Sequence, residues 1–379
     1  MIAVDNEPLS IVNHHVGFKR LINNKIIPDM YEGVGSKLKN ELERAEAIAF
    51  TSDLWTSSVN NAAFLSFTGH WISENFKLNH AVLNMAHFPE SHTSENIKRE
   101  LLQCVTKWDI PITKIQAIVH DNGANMVKGV KETLLPSQRC FIHTLQLVIN
   151  NALDNSSPIK EILSSTRRIV THFNHSGYTK LESIQSELGL PNHKLIQDIQ
   201  TRWNSTYYLL EQHLLKLLKP FVEITKITNS TYAPISDVIP SIVSLIRYLM
   251  KDALIQQTAH VDDFRKALIE NMVASFNLDD LCFTKTYYLS TFLDPRYKNF
   301  YFDATQIERI RRAALREESS IEQPTEEQPK NATAEEIANY IALAKADRKI
   351  NPYEWWALST NKNRFPILRT LLHFRRTQI

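Results

Sequence analysis

Asp53 and Asp121 are the residues of this sequence best placed to do chemistry. Each follows a β-prone run. Ile48-Ala49-Phe50-Thr51-Ser52 leads into Asp53-Leu54-Trp55-Thr56, and Ile115-Gln116-Ala117-Ile118-Val119-His120 leads into Asp121-Asn122-Gly123. If those two strands lie side by side, the carboxylates converge. Paired carboxylates hold Mg²⁺ through hard oxygen ligands, and the metal then activates water and steadies the leaving oxygen in phosphodiester cleavage. The same residues also fit a plainer use of aspartate at strand ends, with Asp121 opening an Asn-Gly turn and Asp53 capping a turn or helix.

Three further segments carry chemistry-bearing side chains. Cys140-Phe141-Ile142-His143 supplies half the ligands of a structural zinc site. No CxxC or HxxxH partner appears in the sequence, and the spacing of Cys104, His172 and His175 does not favour their recruitment. The pair also reads as one face of a core helix with Leu145 and Val148. Thr201-Arg202-Trp203-Asn204-Ser205 sets a cation beside a large aromatic ahead of a helix. Arg202 and Trp203 suit an unpaired base and its phosphate, while Asn204 or Ser205 suits a helix cap with Trp203 in the core. Tyr353, Trp355 and Trp356 form dense aromatic surface for a core or a partner interface.

The elements that must position these groups follow from periodicity. Ser36 to Ala49 reads as an amphipathic helix. Strands are expected near 47–53, 63–72 and 78–85, joined by short polar turns as an antiparallel meander. Ile97, Leu101, Leu102, Val105 and Trp108 then fall at helical spacing behind Ser94 as N-cap, and Pro111 precedes a fourth strand near 115–120. The order is β-β-β-α-β, which sets the first and fourth strands side by side. From Cys140 on, helices are expected over 140–153, 159–175, 205–227, 237–257, 261–275 and 303–317, with one possible strand over 195–200. Residues 317–336 carry seven acids, one lysine and two prolines, the mark of a flexible acidic linker.

Composition narrows the classes. The chain has 379 residues, 43% hydrophobic and 22% charged, so wholesale disorder is excluded and two or three structural units are expected. Only 8 residues are glycine, far below the usual ~7%, which disfavours turn-rich all-β folds and glycine-loop nucleotide binders. The net charge of +2 leaves nucleic-acid contact to local patches. Three scattered cysteines, no apolar run of spanning length and no signal-like N-terminus point to a soluble intracellular protein without a membrane partner.

Six segments in order resemble the hAT-superfamily transposases and the zinc finger BED domain-containing proteins derived from them. They are Phe50 to Ser57, His120 to Met126, Arg139 to Leu147, Thr201 to Thr206, Leu293 to Lys298 and Pro352 to Trp356. The resemblance implies an α/β fold: an RNase H-like core with a large all-α insertion and a truncated helical C-terminal segment. It divides the chain into an N-terminal helical remnant (1–45), the core with its CxxH and Arg-Trp segments (46–204), the helical insertion (205–316), the acidic linker (317–336) and the opening of a dimerisation region (337–379). Asp53 and Asp121 match the first two members of a metal-binding acidic triad, Cys140 and His143 the family's CxxH pair, and Trp203 a tryptophan that handles flipped DNA. Tyr353, Trp355, Trp356, Phe365 and Leu368 match the dimerisation region.

The sequence departs from that pattern at three points: it has no Ser-Glu-Arg segment carrying the third acid, no BED finger before Asp53 and no Pro-Ser-Arg stretch before Ile26. Glu211 and Glu354 are the alternatives for a third carboxylate, and neither has the family's context. The expectation is a catalytically inactive, nuclear (otherwise cytoplasmic), transposase-derived protein that binds DNA or protein partners, or is a relic. The alternative is an active Mg²⁺-dependent DNA transposase. Weak Mg²⁺ binding, no zinc, weak salt-dependent DNA binding and a homo-oligomer weakened by truncation follow from the same reading. The apolar stripe through Phe365, Leu368, Leu371 and Leu372 must either fold back on the helical domain or remain exposed.

Overall fold

The computed structural model describes residues 22–57, 61–89, 91–175, 178–187, 215–228, 234–251, 259–276, 285–321 and 329–375. Helix α1 (Ile27–Arg44) leads into strand β1 (Ile48–Thr56). The helix expected to reach Ala49 stops earlier because Ala47, Ile48 and Ala49 are drawn into the sheet core. Strands β2 (Ala63–Ile72) and β3 (Leu78–His87) complete the meander. Helix α2 (Ser94–Lys107) follows, and its N-cap is Thr93, whose side chain accepts from the Asn96 N–H, rather than Ser94. Strand β4 (Ile115–His120), helix α3 (Ala124–Glu132) and the short strand β5 (Ser137–Arg139) close this half.

The five strands form one mixed sheet in the order β3-β2-β1-β4-β5, with β1 antiparallel to β2 and parallel to β4. The expected adjacency of first and fourth strands is therefore present; α3 and β5 were not foreseen. Side chains alternate across a sheet, so Ile48 and Phe50 of β1 and Leu65, Phe67 and Trp71 of β2 share a core with Ile97, Leu101, Met126 and Val130 of α2 and α3. Phe50 and Phe67 stack with ring centroids 4.4 Å apart. Trp108 donates its indole N–H to the Leu83 carbonyl at 2.9 Å, which fastens α2 across β3. At Gly129 of α3 an added Cβ would lie 2.9 Å from the Ser94 carbonyl oxygen, so the close approach of α3 to α2 needs glycine there.

The opposite face of the sheet looks toward the all-α part. Helices α4 (Phe141–Asn155), α5 (Ser157–His175), α6 (Tyr178–Glu187), α7 (Leu215–Thr228), α8 (Val238–Leu249) and α9 (Ala259–Phe276) follow in sequence. Helices α4, α5, α7, α8 and α9 contribute to a second core built on Leu145, Val148, Phe221, Leu245 and Phe264. A third core joins α10 (Lys285–Leu293), α11 (Ala304–Ile321), α12 (Pro329–Ala342), α13 (Pro352–Ala357) and α15 (Pro366–Arg375), with the short α14 (Ser359–Arg364) between the last two. The acidic stretch expected as a flexible linker is helical at both ends, since α11 runs to Ile321 and α12 starts at Pro329. Within it, Glu336 is buried and accepts from the backbone N–H groups of Ile367 and Leu368, satisfying the open donors at the start of α15. The possible strand over 195–200 lies outside the described residues.

Tyr353, Trp356, Phe365 and Leu368 are buried inside this third core, Trp355 packs half-buried against it, and the Trp356 indole donates to the Leu293 carbonyl at 3.0 Å. The stripe has folded back on the chain's own helices. Of the two outcomes open to this segment, these residues take the one that packs them within the chain itself. The physical reason is that α10, α11 and α12 already supply a complete apolar face for them.

Candidate functional site

The site is built where β4 ends and its parallel pairing with β1 stops, while β1 itself runs on past Asp53, which pairs with Ser66 of β2. In the parallel register of β1 and β4, Ser52 pairs with His120 and Thr51 with Val119. Residues in register on neighbouring strands share a face, so Asp53 and Asp121, one step further, both point away from the α2–α3 core. Both line a cavity of about 350 Å³ together with Ser66, Cys140, His143 and Tyr287. Asp53 is exposed and Asp121 half-buried.

Short local ties hold Asp121. The buried His120 ring bridges the Asp121 carbonyl at 2.7 Å and Ser137 Oγ at 2.8 Å. Burial lowers the pKa of His120 and so favours a neutral ring. Asp121 Oδ1 accepts from the Gly123 N–H at 3.0 Å, and a Cβ on Gly123 would meet that oxygen at 3.1 Å. The Asn122 amide donates to Thr144 Oγ1 at 3.1 Å, and Thr144 donates to the Cys140 carbonyl at 2.9 Å. The Cys140 N–H in turn donates to the His120 carbonyl at 2.7 Å. The end of β4 and the start of α4 are thereby one unit.

That unit explains the Cys140–His143 pair. Cys140 is the N-cap of α4, and His143 follows within the first turn. Burial pushes the Cys140 thiol up, but hydrogen bonds with His143 outweigh it and the net shift is downward. The hydrogen bond from Cys140 holds His143 above the ordinary imidazole range, with burial opposing and the charges of Cys140, Asp121 and Asp53 assisting. The helix start favours a thiolate in the same sense. The cavity mouth therefore holds two carboxylates, a thiol biased toward its anion and an imidazole biased toward its cation.

The residues present can be weighed against a metal. Asp53 and Asp121 are hard oxygen donors of the kind Mg²⁺ takes, and one Asp121 oxygen already accepts from Gly123. Among the described residues no group of three or more His, Cys, Asp or Glu side chains is arranged to hold a metal ion. Glu354 stands exposed at the start of α13 and does not line the cavity; Glu211, Arg202 and Trp203 lie outside the described residues. The sequence offered no signal for Tyr287 or Gln138. They meet at 2.7 Å, Gln138 donating its amide to the Tyr287 hydroxyl, across a separation in sequence that no spacing rule reaches.

Residues 51–146, which run from within β1 into the first turns of α4 and carry Asp53, Asp121, Cys140 and His143, match the family model for the ZBED1 RNase-like domain. Residues 138–242 match the ZBED1 RNase-like helical domain, in continuation of the first. The chain belongs to the zinc finger BED protein family derived from hAT transposases. Among its relatives in that family, zinc finger BED domain-containing protein 4 of Homo sapiens is 26% identical over 89% of this chain and 32% of its own length. Zinc finger BED domain-containing protein 6 of Homo sapiens is 27% identical over 73% of the chain and 33% of its own length. The putative AC transposase of Zea mays is 23% identical over 80% of the chain and 44% of its own length. The chain spans about a third of the length of these human zinc finger BED relatives. No helix among the described residues is long and apolar enough to cross a membrane.

Proposed function

We propose that this chain is a DNA-binding module with an RNase H-like core that has kept the first two acids of a transposase site and does not cut DNA. The observation that carries this reading is the meeting of Asp53 and Asp121 in one cavity whose other ionisable lining residues are His120, Arg139, Cys140, His143 and Tyr287, with no third carboxylate among the described residues that line it. Two carboxylates leave most of an octahedral Mg²⁺ shell to water and to phosphate oxygens, so Mg²⁺ binds weakly. His143, which its hydrogen bond with Cys140 biases toward the cation, partly offsets the charge of the acids and draws a phosphate toward the cavity mouth. Zinc has no part in this reading, because a structural zinc needs four ligands and, among the described residues, no further pair joins Cys140 and His143. Arg202 and Trp203 supply base stacking and phosphate neutralisation in the same reading. The role is nuclear and regulatory, and any self-association is weak.

Fluorescence anisotropy of the full chain with a labelled 30-base-pair duplex tests the proposal. Saturable binding that weakens steeply with salt is expected. Absence of binding at low salt would overturn it, as would tight Mg²⁺ binding by calorimetry without DNA.

A further inference from the structure

A second hollow, of about 750 Å³, lies between the end of α4 and the outer face of α5. Lys160, Ser164, Arg167, Arg168, Thr171 and His172 line it from α5. These positions recur at three- and four-residue intervals, so all six lie along one face of the helix, over ~18 Å at 1.5 Å per residue. Lys160, Ser164, Arg168, Thr171 and His172 are exposed and Arg167 is half-buried. Two carboxylates stand at the rim. Asp154 lies 4.0 Å from Lys160, with both side chains well exposed, and Glu161 borders the adjoining hollow. A contact of that length between solvated groups is easily exchanged for another anion.

We infer that this α4–α5 groove binds the phosphate backbone of duplex DNA flanking the Asp53–Asp121 cavity. The inference rests on the DNA-binding reading proposed above and adds a place and a set of residues to it. Guanidinium and ammonium groups alternating with hydroxyl donors match a row of phosphates, and the two leucines that line the hollow, Leu153 and Leu163, are buried at its floor. The length of the face corresponds to about five base-pair steps at ~3.4 Å each. Its position supplies the second argument. His143 stands at the cavity end of α4, and Asn150 and Asp154 stand at the groove, ~10 to 16 Å along the same helix. One straight duplex reaches both.

The test is the salt dependence of duplex binding by the full chain and two variants. One variant carries Lys160→Glu, Arg167→Glu and Arg168→Glu. The other carries only the neutral exchanges Lys160→Gln and Arg168→Gln at exposed positions, which keeps the test valid if the first folds poorly. Each lost phosphate contact reduces the slope of log affinity against log salt by about 0.9, so the neutral pair should flatten it by nearly 2 and weaken binding at least tenfold at low salt. Wild-type binding with a slope unmoved by either variant would overturn the groove while leaving the DNA reading intact. A wild-type chain that does not bind duplex would overturn both. A polyglutamate peptide that binds the groove more tightly than duplex, and loses affinity in the same variants, would also overturn it.

Discussion

At the scale of single residues, the behaviour of Cys140 rests on one neighbour. Replacing His143 with Gln removes the hydrogen bond and the positive charge that outweigh burial, so the Cys140 thiol should titrate higher. Alkylation with iodoacetamide across pH, read by peptide mass spectrometry, checks this. Cys104, buried and pushed up to about 12, is the internal reference that stays unlabelled. His70 gives a second expectation. Burial holds its pKa down to about 4, with the nearby His80 adding to the effect, and its Nε2 lies 3.0 Å from Thr51 Oγ1. Between the ordinary value of about 6.5 and the folded value, the unfolded chain binds more protons. Stability is therefore full above pH 6.5 and falls as pH drops toward 4, by roughly 3 kcal/mol at the limit. Urea melts at pH 7 and pH 4.5 should show the loss, and His70→Gln should shrink it. The two acids were legible in the sequence because a β-prone run ending in aspartate is a local pattern. The partners that tune the site, His120 on Ser137 and Gln138 on Tyr287, were not, because they depend on which elements pack together.

At the scale of elements, the segment Leu293 to Lys298 was read only as part of a family pattern, and the structure gives it a mechanical task. Asp294 is fully buried, accepts from Ser236 Oγ at 2.6 Å and pairs with Arg296, which also reaches Asp237 at 2.8 Å. Lys298 donates to the carbonyls of Tyr340, Leu343 and Ala344 just where α12 ends. A cation there satisfies orphan acceptors and suits the helix dipole. Lys298→Met should destabilise the chain by about 3 kcal/mol by leaving buried carbonyls unpaired. Chemical denaturation measures that, and an unchanged midpoint would show that solvent satisfies those carbonyls instead. Periodicity located β1 to β4 and most helices of the all-α part well, because each buries one face. It missed β5, whose three residues are too few for a pattern, and α3, whose start was absorbed into the Asn-Gly turn. It also read acids as linker where Glu336 caps α15. A charge run reports solvation only when no helix end needs the charge.

At the scale of the whole molecule, three cores meet around one sheet, and the acids sit where the sheet faces the helical layers. Because the tryptophan segment is internal, Trp356→Ala should act on folding, costing about 3 to 5 kcal/mol, and not on association. Thermal melts with sedimentation at several concentrations separate the two outcomes, and a dimer that dissociates in the variant would contradict the internal role. The central claim is that Asp53 and Asp121 remain together on a DNA-binding core that no longer cuts. The most direct measurement is a denaturing gel of end-labelled duplex incubated with the full chain in Mg²⁺ or Mn²⁺, at protein concentrations where anisotropy shows the duplex bound. Intact strands are predicted throughout, identical to those with Asp53→Asn. Strand scission that disappears in Asp53→Asn or Asp121→Asn would contradict the account and make this chain an active nuclease.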